Sequence, residues 1–117
     1  RRTDYVYMTV KGDDNSTSAF EFLADNTDVE YSHIQTGEEG QNANNYITTS
    51  HSVNDDTAGT NVMDALVNAN VTVRSHSHNH PGRNPAGSAD KDFADKYSNN
   101  PFTEFKIYYK GGTYCHY

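Results

Sequence analysis

The sequence predicts an α/β fold in which helices flank a mixed central β-sheet. Its 117 residues suit a single domain. Runs rich in β-branched and aromatic residues alternate along the chain with segments of helical spacing, and the sequence contains no internal repeat. Helices interleaved with strands are typical of layered α/β or α+β domains. We expect one domain over residues 1–117, excised from a longer chain because the sequence opens with Arg1-Arg2 and no Met.

The first half of the chain predicts three strands and a helix. Tyr5–Val10 is rich in residues that favour strands and runs into a turn-rich loop. The hydroxyl side chains of Ser16–Ser18 are typical N-caps, so a short helix is expected to follow them through Ala24. Val29–Gln35 and Tyr46–Ser50 are the next two predicted strands, and a long polar loop separates them.

The second half of the chain predicts a helix, a strand, another helix and a hairpin. Asn61–Asn68 places apolar residues at helical spacing. A strand begins at Val71, and a helix is expected over Ser88–Tyr97. Alternating residues on either side of Gly111-Gly112 predict a hairpin over residues 105–117.

Charge and composition argue against several classes of partner. The formal net charge of −7 makes nucleic acid and an anionic membrane surface poor candidates, because both are bound through basic patches. No apolar run approaches the roughly 20 residues of a membrane span, so we expect no membrane contact, and no signal peptide is evident. The single cysteine, Cys115, excludes a disulfide within the chain.

Histidines at alternate positions form the most informative pattern in the sequence. The strand that begins at Val71 closes with His76, His78 and His80, and alternate residues on a strand point to one face. Pro81 then ends the strand. Two imidazoles and a carboxylate from beyond the loop would form an open zinc site. We favour His78 and His80 over His76 because they lie nearer the strand end, where the next helix can bring a carboxylate across.

One part of the sequence consists of His78-Asn79-His80-Pro81, followed by Ser88 and nearby acidic residues. This part resembles the JAMM (MPN-plus) metalloprotease motif. That motif consists of a glutamate, a later His-x-His-Pro, a loop and Ser-x-x-Asp. The His-Asn-His-Pro string is also similar to the RadC branch, while the last hairpin looks more like the JAB-type domains at the ends of bacterial polymorphic toxins. The resemblance covers most of the chain, from the first helix to the last hairpin.

The resemblance implies a JAB/MPN-like fold with cytidine-deaminase-like layering, located in the C-terminal part of its parent protein. It also implies a zinc-dependent hydrolase that cleaves peptide or isopeptide bonds and holds one Zn²⁺ per chain. A protein or peptide would be the substrate and an immunity protein a partner. The parent would be a secreted or surface-associated bacterial effector acting in a target cell.

The glutamate of the family motif starts the strand after the first helix. Glu30 occupies that place here, and the resemblance gives it the role of general base. Glu21 is the rival, but it lies within an amphipathic helix, where a solvent-facing carboxylate is expected. Glu38 and Glu39 lie in a loop beyond the glycine that ends the strand.

The aspartate is the point where this sequence departs from the family. The spacing of the family motif would place the aspartate at position 91, which is Lys91 in this sequence. The two aspartates that flank it are Asp90 and Asp92. Asp90 shares the expected buried face of its helix, whereas Asp92 lies on a polar face, so we choose Asp90 as the third ligand. This choice places Gly87 in the serine position of the family and leaves Ser88 either as a catalytic hydroxyl or as a helix N-cap only.

The expected chemistry assigns one role to each site residue. His78, His80 and Asp90 would hold the zinc ion, Glu30 would move the proton, and Ser88 would stabilise the oxyanion. Two other functions stay open. One is nucleic-acid processing of the RadC kind, which the acidic charge disfavours, and the other is a catalytically weak protein-interaction scaffold.

Overall fold

Six strands form one mixed sheet with three helices around it in the computed structural model, which describes residues 6–50, 57–100 and 103–117. The strands are β1 (Val6–Lys11), β2 (Tyr31–Thr36), β3 (Asn44–Thr49), β4 (Val73–Asn79), β5 (Glu104–Tyr109) and β6 (Thr113–His116). The helices are α1 (Asp13–Asn26), α2 (Thr57–Asn68) and α3 (Ser88–Lys96).

The sheet order is β1-β3-β2-β4-β5-β6, and only the β4–β5 pair is parallel among the pairs that the described residues form. The predicted α/β class with a mixed central sheet is therefore confirmed. The final hairpin is also present, since β5 and β6 pair in antiparallel fashion across the turn that contains Gly111 and Gly112. Within the described part of the chain, no helix has the length and apolar character needed to cross a bilayer.

Two hydrophobic clusters hold helices against the two faces of the sheet. On one face, Phe20 and Ala24 of α1 pack with Ile47 of β3 and Tyr108 of β5. On the other face, α2 and α3 pack over β2, β4 and β5. That cluster contains Ile34, Met63, Leu66, Val73, Tyr97 and Phe105. The second face is the one that carries the histidines, because His76 lies directly opposite Ile34 in the β2–β4 ladder.

Two helices begin earlier than predicted. Helix α1 begins at Asp13 and not after the serine–threonine run, so Ser16 is a fully buried residue inside the helix and not its cap. Gly12 precedes the helix with a φ of 94°, a conformation that glycine adopts without strain. The Asp13 carboxylate accepts a hydrogen bond from the Gly40 N–H, a partner distant in sequence. Helix α2 begins at Thr57, before the predicted start at Asn61.

The strands also differ from the prediction at their ends. Tyr5, predicted as the start of the first strand, lies outside the described residues. The histidine strand β4 runs from Val73 to Asn79, so His80 follows the strand and does not belong to it. The N–H of His80 still donates to the Tyr108 carbonyl oxygen at 3.2 Å, which keeps the chain against β5 for one more residue.

Candidate metal centre

The three predicted ligands meet where β4 ends and α3 begins. The Nε2 atoms of His78 and His80 are 3.0 Å apart. Oδ1 of Asp90 lies 3.1 Å from Nε2 of His78, and Oδ2 of Asp90 lies 3.3 Å from Nε2 of His80. In a tetrahedral site with zinc–ligand distances of about 2.0–2.1 Å, neighbouring ligand atoms stand about 3.3 Å apart. With one ligand atom from each residue, the three atoms lie within 4.8 Å of one another, so the group could hold a metal ion such as zinc.

Helix α3 fixes the position of Asp90. Gly87 is the residue that caps this helix, and its backbone N–H donates to Oδ2 of Asp90 at 3.0 Å. A carboxylate that reaches back to the N–H of the cap residue is one half of the capping-box arrangement. Asp92, the alternative ligand from the sequence, is exposed on α3 and is not part of the group.

A backbone carbonyl orients the ring of His80. Nδ1 of this histidine lies 2.6 Å from the carbonyl oxygen of Asn84 in the loop before α3. A carbonyl oxygen only accepts hydrogen bonds, so Nδ1 must carry the proton. In the neutral ring, Nε2 then presents its lone pair to the other members of the group, as a metal ligand must.

The electrostatics of the group favour a charged carboxylate. Burial disfavours the charged form of Asp90, but hydrogen bonds with His78, His80 and the Gly87 N–H outweigh burial and lower its pKa. The hydrogen bond to Asp90 raises the pKa of His80, against the opposing effect of burial. Asp90 is therefore an anion at neutral pH, and an anionic oxygen is a favourable ligand for a divalent cation.

A cavity of about 230 Å³ lies beside the group, and Glu30, His78, Asp90 and Tyr117 are among its lining residues. Glu30 is buried immediately before β2, two residues before Ser32, which lies directly opposite His78 in the ladder. Burial raises the pKa of Tyr117, as do the negative charges of Asp90 and Glu30. Glu30 thus reaches the same cavity as two of the candidate ligands, which is where a general base would have to lie.

Ser88 occupies a different position from the one expected of it. It is exposed at the first helical residue of α3 and does not line the cavity. The interpretation of Ser88 as an N-cap is wrong, because Gly87 is the cap residue. Ser32 was missed by the sequence reasoning, although it is buried and lines the cavity. The alternation of side chains along a strand could have found it, since it lies two residues after Glu30.

The other histidines have separate environments. His76 is buried against Phe93, with ring centroids 4.8 Å apart, and burial lowers its pKa to about 3. Neither of its ring nitrogens has a hydrogen-bond partner among the described residues, and it is not part of the ligand group. His33 is buried on the α1 face, where its Nε2 lies 2.8 Å from the Ser16 hydroxyl oxygen. His51 lies outside the described residues.

The model of the JAB-like toxin 1 family matches residues 8–108. The chain belongs to the JAB-like toxin 1 family. The match spans the region from β1 to β5 and includes Glu30, His78, His80 and Asp90, so the resemblance to JAB-type domains of polymorphic toxins is confirmed. Among curated proteins and among solved structures, none matches this chain. In this JAB-like toxin 1 domain, Tyr117 lies beyond the matched residues, although it lines the cavity.

Proposed function

We propose that this domain is a zinc-dependent hydrolase that cleaves peptide or isopeptide bonds in a protein target. The observation that carries the proposal is the triangle of His78, His80 and Asp90, whose spacing suits one Zn²⁺ and which adjoins a cavity that contains Glu30. Membership of a JAB-like toxin family supports a target in another cell, delivery as a secreted effector and an immunity protein as partner.

The metal would supply one part of the chemistry. Bound zinc lowers the pKa of a water molecule from 15.7 to about 7 and polarises a carbonyl group. His78 and His80 would contribute neutral nitrogen ligands, and Asp90 an anionic oxygen. With these three protein ligands, a tetrahedral centre keeps one position for water or substrate, which is the composition of a catalytic and not a structural zinc site.

Glu30 would move the proton. Its carboxylate would accept the proton of the attacking water and then donate it to the nitrogen of the leaving amine, as a general base and acid in turn. The hydroxyl that stabilises the oxyanion is Ser88 by the resemblance, but Ser32 is better placed, because it lies in the cavity opposite His78. A hydroxyl aimed at the developing negative charge lowers the barrier by electrostatic stabilisation.

Zinc stoichiometry of the purified domain tests the metal site. We expect about one zinc per chain after loading, lost in Asp90→Asn and retained in Asp92→Asn. Asp92 is the matched control, since it is an aspartate of the same helix that is exposed and lies outside the ligand group. A domain that binds no zinc under any loading would leave the protein-interaction scaffold as the better function.

Turnover of a panel of peptide and isopeptide substrates tests the hydrolase. Glu30→Gln should keep one zinc per chain and lose most of its activity, typically 10²–10⁴-fold for a general base. Glu38→Gln, in an exposed loop, should keep both zinc and activity. Full activity of Glu30→Gln would remove Glu30 from the proposed role, and cleavage of DNA alone would favour the RadC-like alternative.

A further inference from the structure

Tyr117 packs directly against one of the candidate ligands. Its backbone N–H donates to the Phe105 carbonyl oxygen at 3.0 Å, which holds the residue beside β5. Its ring meets the His78 ring edge-on, with centroids 5.5 Å apart, and lies 6.0 Å from the Phe105 ring. The hydroxyl oxygen of Tyr117 is 3.3 Å from Nδ1 of His78. This contact involves the nitrogen that faces away from the ligand group.

A histidine that binds a metal through one nitrogen needs its proton on the other. A neutral imidazole has one N–H and one lone pair, and only the nitrogen with the lone pair can bind a metal. With a metal bound at Nε2 of His78, which belongs to the ligand group, the proton of a neutral ring would lie on Nδ1. A partner that accepts a hydrogen bond from Nδ1 fixes both the tautomer and the plane of the ring. The Asn84 carbonyl oxygen does this for His80, and the atom in the equivalent place for His78 is the Tyr117 oxygen.

We propose that Tyr117 is a positioning residue of the metal centre, which accepts a hydrogen bond from Nδ1–H of His78 and holds Nε2 towards the metal. The proposal rests on the proposed zinc site. Tyr117 acts through His78 and not on the reacting atoms. Loss of such a partner commonly lowers metal affinity by 10–100-fold. The 3.3 Å separation is longer than an ideal hydrogen bond, so we expect about a tenfold effect.

The test compares the zinc dissociation constants of wild type, Tyr117→Phe and Tyr114→Phe, measured by competition with a chromogenic chelator. Tyr114 is the matched control, because it is a tyrosine of β6 whose hydroxyl donates one hydrogen bond, to Oε2 of Glu21 at 2.7 Å, away from the ligand group. Tyr117→Phe keeps the ring contacts and loses only the oxygen. The dissociation constant of Tyr117→Phe should rise about tenfold, and that of Tyr114→Phe should stay within about twofold of wild type.

NMR of the His78 ring gives a readout that a purely structural role would not change. In the zinc-loaded wild type, a proton on Nδ1 should be visible and slow to exchange with water, and in Tyr117→Phe it should exchange faster. If Tyr117→Phe does not fold, the exchange rate of the Nδ1 proton in the zinc-loaded wild type tests the proposal by itself. A His78 bound to zinc through Nδ1, or an Nδ1 proton that exchanges as fast as in free histidine, would overturn the proposal.

The outcomes separate this inference from the proposed function. If wild type and Tyr117→Phe bind zinc equally well, the positioning role of Tyr117 is overturned and the zinc site stands. If the wild type binds no zinc, both are overturned. Weaker binding in Tyr114→Phe to the same extent as in Tyr117→Phe would show a general loss of stability and would also overturn the role assigned to Tyr117.

Discussion

His33 is expected to make the domain less stable in mild acid. The side chain lies in β2 with 2% of its surface exposed, stacked on Phe20 at 5.4 Å between ring centroids, and its Nε2 is 2.8 Å from the Ser16 hydroxyl oxygen. Burial lowers the pKa of His33 from 6.5 to about 4, the positive charges of Lys106 and Arg74 lower it further, and Asp13 opposes them.

The size of the effect follows from the two pKa values. The unfolded chain takes up the His33 proton near pH 6.5, whereas the folded chain takes it up only near pH 4. Between these values the unfolded state binds more protons, so the free energy of unfolding falls as the pH falls. At 1.36 kcal/mol for each pH unit, this one histidine should remove about 3 kcal/mol of stability between pH 7 and pH 4.

Urea unfolding of the metal-free protein at several pH values between 7 and 4 measures this loss. We compare wild type with His33→Gln, which keeps a polar side chain near Ser16 but does not titrate. Groups that titrate in both proteins cancel in the difference, so the wild type should lose about 3 kcal/mol more than the variant. His116→Gln is the control, because His116 is exposed with 63% of its side chain accessible. Equal pH dependence of wild type and His33→Gln would refute the reasoning.

Two further predictions concern stability at neutral pH, measured by urea unfolding. Asp13→Ala should cost about 2–3 kcal/mol because it removes the acceptor of the half-buried Arg74 and of the buried Asn45, whereas Asp14→Ala, at the exposed next residue of the same helix, should cost less than about 0.5 kcal/mol. Phe20→Ala should cost about 3–5 kcal/mol because the ring is fully buried, and Phe22→Ala, on the same helix but 66% exposed, should change stability little.

The helices and strands that could be predicted from the sequence are those indicated by a pattern of neighbouring residues. Alternating residues predict the strands and the last hairpin, and the His-x-His-Pro string indicates the two candidate histidine ligands, whose Nε2 atoms lie 3.0 Å apart in the structure. The start of α1 could not be predicted in this way. The Asp13 carboxylate accepts hydrogen bonds from Gly40, Asn45 and Arg74, and these partners meet it only after the sheet has formed.

The same reason explains the site residues that were missed. Ser32 reaches the cavity through the pairing register of β2 with β4, and Tyr117 reaches His78 because its N–H bonds to Phe105. Neither the pairing register of β2 with β4 nor the backbone contact of Tyr117 can be predicted from a local sequence pattern. The alternation of Glu30 with Ser32 was a usable signal, but a lone serine in a strand is too common to be selected without the structure.

The position of Asp90 shows which spacing matters in this motif. Counting from the histidines leads to Lys91, one residue beyond the carboxylate that joins the group. Counting from the helix gives a different result, since Asp90 is the third helical residue after the cap Gly87 and bonds to its N–H. A loop can lose a residue without moving the helix start, but a carboxylate moved one residue along a helix turns by about 100°. The constraint on the candidate third ligand is therefore its place in the first turn of α3, where one carboxylate both joins the candidate metal group and accepts a hydrogen bond from the N–H of the cap residue Gly87.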